Sequence, residues 1–312
     1  MGLIIYFLLA LVAIFLFLNL GSKKFAVSSP LPDYLTSFKN QQVSTIDLWT
    51  PIFEYIQSTI SYPNITANSA LVYDLTSKKV LLERNPKEKL AMASLTKIMT
   101  AIVALENKKN DDNYFVKKEN LVGENSMGLE PNEILSLDEL LYGLILSSGN
   151  DSAEVIAHNL EGGRSAFIKA MNEKAKTLGI KDTNFTNPSG LEGDGNQYTT
   201  AYDLLVMTNY AISNFPQFRK VVATTEFSIP QTNTHKAYYL VNETSLLTTY
   251  PGVKGVKIGF TPESGYSMIT YLEYKGHKIL AILLNSGNRR QEMKDLLDYS
   301  LKSLGIEPPV HN

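Results

Sequence analysis

The chain has 312 residues, with 29 basic and 31 acidic side chains and a formal net charge of -2. This balance disfavours nucleic acid as the main partner, because phosphate binding requires a concentrated basic surface. Cysteine is absent, which excludes cysteine nucleophiles, cysteine-ligated zinc, iron–sulfur clusters and disulfide bonds. With 44% hydrophobic and 19% charged residues, the chain has the composition of a folded protein that can build a large core.

The N-terminus contains an unbroken apolar run, residues 3–18, followed by Lys23 and Lys24. A secretory signal has an apolar core of about 7–15 residues and a spanning helix needs roughly 20, so this run falls between the two. We predict that residues 1–21 are a membrane anchor, with a signal segment cleaved near Ala26-Val27-Ser28 as the alternative.

The rest of the chain divides by pattern into three parts. Residues 22–62 are predicted to be a linker or pre-domain, and the pattern around Pro51 favours a helix over 43–60. Residues 63–306 are the predicted main domain, and residues 307–312 are a tail.

Within the main domain, β-like runs at 70–74 and 80–83 enclose a turn and predict a hairpin. Apolar residues at helical spacing then predict helices over 94–107, 137–160 (interrupted at 147–150), 164–178 and 200–213. Strand patterns follow at 226–229, 237–241, 255–258, 266–273 and 278–284, and a last amphipathic helix covers 290–304. This order predicts an α/β domain whose single sheet takes strands from both ends of the chain.

The first pattern that can carry chemistry is Ser94-Leu95-Thr96-Lys97, at the opening of a predicted helix. A Ser and a Lys three residues apart share one helix face, and an amine with a lowered pKa can take the serine proton. The helix N-terminus adds positive potential at the serine. Taken alone, the pattern favours a simpler interpretation, an N-cap serine with a solvated lysine.

Two further patterns accompany it. Ser148-Gly149-Asn150 lies at a break between helical segments and offers a hydroxyl and an amide that can relay a proton and orient a substrate. The same tripeptide occurs again as Ser286-Gly287-Asn288, and we interpret this second copy as a loop between a strand and a helix. Lys257-Ile258-Gly259-Phe260-Thr261 puts a cation beside strand amides, which suits a carboxylate and an oxyanion, or is simply an edge-strand lysine.

In this order the three patterns are those of penicillin-binding proteins and class A β-lactamases. The chain closely resembles the serine-type D-Ala-D-Ala carboxypeptidases, the low-molecular-mass penicillin-binding proteins, over about residues 66–304. The stretches that carry the resemblance are 93–101, 141–151, 187–191, 199–204 and 255–261. It implies a β-lactamase/transpeptidase-like fold, an antiparallel sheet flanked by helices plus a helical lobe, with residues 63–306 as the D,D-peptidase catalytic domain.

The resemblance also implies roles for the motif residues. Ser94 would attack the carbonyl between the two terminal D-alanines of a peptidoglycan stem peptide and form an acyl-enzyme, with Lys97 as base. Ser148 would pass the proton to the leaving D-alanine. Substrate binding is implied for Asn150, Lys257, Gly259, Phe260 and Thr261. The N–H groups of Ser94 and Phe260 would form the oxyanion hole, no metal or organic cofactor is implied, and β-lactams are expected to inhibit.

The third motif departs from the family's usual Lys-Thr-Gly, because Ile258 replaces a hydroxyl that helps to bind the substrate carboxylate. Losing one such hydrogen bond costs about 1.5–3 kcal/mol if nothing replaces it. Thr261 is the predicted replacement. Arg289 and Arg290, at the start of the last helix, are either carboxylate ligands or solvated side chains.

Two alternatives to a carboxypeptidase therefore stay open. One is a D,D-endopeptidase that cleaves peptidoglycan cross-links, and the other is a weakly active or non-catalytic protein that binds wall peptides. A class A β-lactamase is disfavoured, because neither Glu154 nor Glu161 after the second motif has the context of a deacylating carboxylate. The expected location is the cell envelope, at the outer face of the cytoplasmic membrane if anchored, or secreted if cleaved.

Overall fold

The structure, a computed structural model, describes residues 49–56, 58–191 and 196–311. The predicted anchor, residues 1–21, and most of the predicted pre-domain lie outside the described residues. No helix in the described ranges combines the length and the apolar character needed to cross a membrane.

The described ranges contain ten strands and eight α-helices. The strands are β1 (Glu54–Tyr55), β2 (Ser69–Asp74), β3 (Lys79–Arg84), β4 (Tyr114–Phe115), β5 (Ile134–Leu135), β6 (Glu226–Ile229), β7 (Tyr238–Val241), β8 (Val253–Thr261), β9 (Gly265–Tyr274) and β10 (His277–Ser286). The helices are α1 (Lys97–Glu106), α2 (Leu137–Ile145), α3 (Asn150–Asn159), α4 (Gly163–Thr177), α5 (Ala201–Asn214), α6 (Pro216–Val222), α7 (Leu246–Thr249) and α8 (Arg289–Ser303).

Six strands form the central sheet, in the spatial order β1-β3-β2-β10-β9-β8. Neighbouring strands pair antiparallel, except that β1 runs parallel to β3. Strands from the two ends of the chain meet where β10 pairs with β2. The predicted single sheet with strands from both ends is confirmed, and it leaves β8 at one edge.

The sheet is covered on both faces, because successive side chains of a strand point to opposite sides. On β2, Leu71 belongs to the core that the sheet shares with the helical lobe. This lobe consists of the helices that follow the sheet's first hairpin. The next residue, Val72, belongs to the core shared with α8. On β10, Ile282 and Leu283 divide between the two cores in the same way. Replacing one of these side chains with alanine typically costs about 2–5 kcal/mol.

Local signals fix the helices that carry the second motif. Ser136 begins α2 with a capping box, in which its Oγ accepts the Glu139 N–H at 3.3 Å while Glu139 Oε2 accepts the Ser136 N–H at 2.8 Å. This reciprocal arrangement satisfies N–H groups that have no partner inside the helix. The helix ends at Ile145 and α3 begins at Asn150, so the predicted interruption at 147–150 is confirmed.

The predicted hairpin, the middle helices and the late strands are present within a few residues of their expected bounds. The helix predicted over 43–60 is wrong for its described part, where residues 54–55 form β1. Ile56 N–H donates to the Val80 carbonyl at 3.2 Å, and Phe53 stacks on Tyr202 with ring centroids 5.6 Å apart. Pairing with the sheet edge and aromatic packing therefore override the local helical pattern.

Candidate active site

Ser94 lies in a 3₁₀ turn, Ala93–Thr96, that leads directly into α1. Ala93, Leu95 and Thr96 are buried, whereas Ser94 is partly exposed. Ala93 has a φ of 45°, a left-handed conformation that is uncommon for a residue with a side chain. Such strain persists only where the surroundings enforce it, so packing holds Ser94 at an accessible point of the turn.

The side chain of Lys97 is fully buried, and its amine contacts three oxygen atoms. Its Nζ lies 2.9 Å from Ser94 Oγ, 2.8 Å from Asn150 Oδ1 and 2.6 Å from the Ser189 carbonyl oxygen. In a neutral amine, two N–H groups satisfy the amide and carbonyl oxygens, and the lone pair faces the Ser94 hydroxyl. The structure thus brings the first and second motifs together around one nitrogen atom.

Burial sets the protonation of this amine. Desolvation lowers the pKa of Lys97 well below its ordinary value of 10.5, and the positive charge of Lys257 lowers it further. Removing a cation from water disfavours its charged form, and a second cation nearby acts in the same direction. Lys97 is therefore suited to accept a proton from Ser94.

The carbonyl oxygen beside Lys97 belongs to the loop of residues 187–191. Asn187 Oδ1 fixes the loop by accepting the N–H groups of Ser189 at 3.1 Å and Gly190 at 2.7 Å. Gly190 has a φ of +90°, and a Cβ atom there would lie 1.9 Å from the Ala93 carbonyl oxygen. Sequence reasoning gave this loop no role, because the atom that contacts Lys97 is a main-chain oxygen. The stretch 187–191 was nevertheless among those that carry the family resemblance.

The second motif forms the connection between α2 and α3. Ser148 is buried and has a φ of 53°, which turns the chain sharply before α3. The Asn150 side chain is engaged at both ends, because its Oδ1 accepts from Lys97 and its Nδ2 donates to the Gly123 carbonyl at 3.2 Å. In this structure Asn150 therefore orients Lys97, and its predicted contact with a substrate amide remains a prediction.

Strand β8 brings the third motif alongside the Ser94 turn. A Cβ atom on Gly259 would lie 3.3 Å from the Ser94 nitrogen and 3.2 Å from the Ala93 Cβ. Glycine therefore lets the strand approach the nucleophile closely. Phe260 is 51% exposed and stacks on Tyr266 with centroids 4.5 Å apart. We call the space bordered by the Ser94 turn, the second motif and β8 the cleft.

Two cations accompany the third motif. Lys257 is buried, and desolvation, opposed by Glu243, lowers its pKa to about 8. Arg289, at the start of α8, donates from Nη1 to the Gly259 carbonyl at 2.8 Å and lies 5.2 Å from the Tyr266 ring centroid. These contacts hold the guanidinium beside β8, so Arg289 is not simply solvated, and its interpretation as a carboxylate ligand stays a prediction.

The neighbouring β8 side chains offer no free hydroxyl to a ligand. Ile258 is buried in the core beneath α8. The Thr261 hydroxyl donates to Ser264 Oγ at 3.0 Å and accepts the Ser264 N–H at 3.1 Å. Thr261 also stands four residues beyond Lys257, roughly 13 Å along an extended strand. Its role as a replacement hydroxyl stays a prediction, and its present partner is Ser264.

Within the described ranges, no group of three or more His, Asp or Glu side chains is arranged to hold a metal ion. The residues around Ser94 are amines, amides and hydroxyls, which suit acyl transfer by a serine nucleophile.

The chain matches a known protein family. A model of the family described as D-alanyl-D-alanine carboxypeptidase matches residues 56–288. The chain belongs to this family. The resemblance inferred from the motifs is thereby confirmed.

Curated relatives agree with this membership. D-alanyl-D-alanine carboxypeptidase DacF of Bacillus subtilis is 33% identical over 251 residues, covering 78% of this chain and 64% of DacF. DacB2 of Mycobacterium tuberculosis, with the same description, is 32% identical over 228 residues, covering 72% of this chain and 77% of DacB2. This family member therefore spans less than two thirds of the length of DacF.

Solved structures share its fold. A D-alanyl-D-alanine carboxypeptidase of Mycobacterium tuberculosis has a TM-score of 0.73 at 29% identity, covering 83% of this chain and 98% of that chain. The Streptomyces K15 DD-transpeptidase has a TM-score of 0.72 at 27% identity, covering 78% and 100%. The predicted transpeptidase-like fold, a sheet flanked by helices with a helical lobe, is confirmed.

Proposed function

We propose that this family member is a serine D,D-carboxypeptidase that removes the terminal D-alanine from peptidoglycan stem peptides. The observation that carries the proposal is the buried Lys97 amine, 2.9 Å from Ser94 Oγ. A weak hydroxyl nucleophile needs an adjacent base, and this amine has both the geometry and the lowered pKa of one.

Acylation starts with transfer of the Ser94 proton to Lys97 as Oγ attacks the penultimate D-alanine carbonyl. The oxygen of the tetrahedral intermediate accepts from the Ser94 and Phe260 N–H groups, a role supported by the close approach of Gly259 to the Ser94 nitrogen. Such preorganised donors stabilise charge that develops in the transition state. The carbon–nitrogen bond then breaks, and Ser148 passes a proton to the departing D-alanine.

Hydrolysis completes the cycle. Water attacks the Ser94 ester while Lys97 takes its proton, and the stem peptide leaves one residue shorter. Lys257 and Arg289 supply positive charge for the terminal carboxylate, and Asn150, Gly259 and Thr261 complete the proposed substrate contacts. β-Lactams are proposed to acylate the same serine.

The substrate places the enzyme in the cell envelope. Residues 1–21 are proposed to anchor it at the outer face of the cytoplasmic membrane, or to be removed when the protein is secreted.

The test is release of D-alanine from an N-acylated peptide ending in D-Ala-D-Ala, with Ser94→Ala as the matched variant. We expect steady release by the wild type and none above background by the variant. Conversion of cross-linked muropeptides to monomers, without release of D-alanine from the linear peptide, would favour the endopeptidase. A folded wild type that binds wall peptides without any release would favour the binding protein.

A further inference from the structure

The side chain of Gln197 joins two segments of the active site that lie far apart in the sequence. Its Oε1 accepts the N–H groups of Thr186 at 2.8 Å and Asn187 at 3.0 Å. Its Nε2 donates to Thr96 Oγ1 at 3.0 Å. Thr96 belongs to the 3₁₀ turn Ala93–Thr96, which we call the nucleophile turn. One amide group therefore links the start of the loop of residues 187–191 to the nucleophile turn.

Hydrogen-bonding rules fix the orientation of this amide. Two main-chain N–H groups can bond only to an oxygen, so the amide oxygen faces Thr186 and Asn187 and the nitrogen faces Thr96. The Thr96 hydroxyl donates to the Ala93 carbonyl at 2.8 Å, and its oxygen is then left to accept from Gln197. The side chain at this position must both accept and donate, which is the chemistry of an amide.

On one side, Gln197 supports the strained part of the nucleophile turn. Thr96 is completely buried, and its hydroxyl connects Gln197 to the carbonyl oxygen of Ala93. Ala93 has a φ of 45°, and such a conformation persists only where the surroundings enforce it. The bond from Gln197 is therefore part of what keeps Ser94 at its accessible position.

On the other side, Gln197 acts on the segment that contacts the base. Its oxygen holds the N–H of Asn187, and Ser189, two residues further on, places its carbonyl oxygen 2.6 Å from Lys97 Nζ. A Cβ atom on Gly190 would lie 1.9 Å from the Ala93 carbonyl oxygen, so the loop and the nucleophile turn are already in close contact. A shift of either segment would therefore move the other.

The backbone that carries Gln197 is anchored immediately beyond this residue. Tyr198 pairs with Asn184, and Thr199 pairs with Leu90, in isolated antiparallel bridges. A side chain on a fixed backbone loses less conformational freedom when it forms its hydrogen bonds. Gln197 is thus suited to hold its two partners at a constant separation.

We propose that Gln197 is a positioning residue, which holds the nucleophile turn against the loop of residues 187–191 so that Ser94 and Lys97 keep the alignment needed for proton transfer. The inference rests on the proposed function, because it concerns the step that activates Ser94. Gln197 acts through Thr96 and Asn187 and not through the reacting atoms. Its effect therefore belongs to the chemical step, in which a misplacement of about 1 Å can cost roughly a hundredfold in rate.

The test uses Gln197→Glu, whose carboxylate still accepts the two N–H groups but cannot donate to Thr96. At saturating benzylpenicillin the acylation rate should fall by about 10- to 100-fold, while the half-saturating concentration should change by less than about threefold. Gln231→Glu makes the same change at an exposed glutamine and should leave the rate unchanged. A loss confined to the half-saturating concentration, or an equal loss in Gln231→Glu, would overturn the inference.

A double-variant cycle tests the bond itself. Thr96→Val removes the hydroxyl with little change of shape and should also slow acylation. Because both changes break the same bond, Thr96→Val combined with Gln197→Glu should be about as slow as Thr96→Val alone. Losses that multiply in the double variant would mean that the two side chains act independently, which would contradict the proposed link.

A further readout does not depend on turnover or acylation. The Lys97 side chain can be followed by NMR of the ¹³C-lysine-labelled protein, with its signal assigned by its loss in Lys97→Met. Gln197→Met, a neutral variant of similar length, should shift this signal, and Gln231→Met should not. Such a shift supports the inference even if the wild type releases no D-alanine and is not acylated, in which case only the proposed function fails. An unchanged Lys97 signal in Gln197→Met would overturn the inference.

Discussion

The two buried lysines of the cleft have opposite surroundings. Lys97 opens α1 in the helical lobe, and its amine contacts a hydroxyl, an amide and a carbonyl oxygen. Lys257 stands on the edge strand β8, where its buried ammonium makes no hydrogen bond or ion pair with the described residues. Both side chains are desolvated, but among the residues that the structure describes only the first is supplied with hydrogen-bond acceptors.

The difference assigns each lysine its chemistry. An amine with a strongly lowered pKa and fixed neighbours suits proton transfer, which needs the reacting atoms within hydrogen-bond distance. An ammonium without local partners keeps its donors for a ligand, and hydrogen bonds to a charged group are worth about 1.5–3 kcal/mol. We therefore propose that one residue type serves here both as base and as anion site, according to the oxygens placed around it.

The largest expected effect follows from replacing the base. Lys97→Met keeps an apolar side chain of similar length but removes the amine, so acylation should fall by about 10²–10⁴-fold. The rate of acylation by benzylpenicillin measures it. Lys176→Met, which removes an exposed lysine on α4, should have no effect. A Lys97→Met rate within tenfold of wild type would contradict the assigned base.

Lys257→Met should instead act on binding. For a peptide with a free terminal carboxylate, KM should rise by about 10- to 100-fold, which corresponds to the loss of one charged hydrogen bond. A peptide ending in D-Ala-D-alaninamide lacks that carboxylate and should lose less than about threefold. Equal losses for the two peptides would show that Lys257 serves something other than carboxylate binding.

The surroundings of Lys97 in the helical lobe can be destabilised by replacing Asp151. Its buried carboxylate accepts N–H groups from residues 127–129, next to the loop that contacts Asn150. Asp151→Ala leaves these donors unpaired and should lower the free energy of unfolding by about 3 kcal/mol. Urea unfolding measures this loss, and Asp111→Ala, at an exposed carboxylate, should change stability by less than about 0.5 kcal/mol. Similar stability of the two variants would contradict the role given to Asp151.

The smallest effect is expected at the third motif. Ile258→Thr adds a hydroxyl beside Lys257 and removes apolar contacts from the core beneath α8. We expect a loss of about 1 kcal/mol in stability, with kcat/KM unchanged or raised by no more than about tenfold. Ile282→Thr, in the opposite core, should destabilise the fold without any gain. A gain above a hundredfold would mean that Ile258 is the main limit on activity.

Much of this arrangement could be predicted from the sequence. Spacing put Ser94 and Lys97 on one helix face, and the period of the apolar residues located the main helices and late strands. The edge pairing of residues 54–55 was missed, because a two-residue strand has no period of its own and depends on β3. The helix Pro216–Val222 was missed as well, since it is only two turns long.

The parts of the site that escaped prediction act through tertiary contacts. Ser189 contributes a main-chain oxygen, which no side-chain pattern reveals. The sequence left the role of Arg289 undecided, because only the folded chain shows that its guanidinium lies beside β8.

The central claim, that Lys97 activates Ser94, is tested most directly by the intact mass of the protein after exposure to benzylpenicillin. The account predicts one covalent adduct on the wild type, located on the peptide that contains Ser94. Ser94→Ala should show no adduct, and Lys97→Met should acquire it far more slowly. An adduct of equal yield on Ser94→Ala, or none on the folded wild type, would contradict the account.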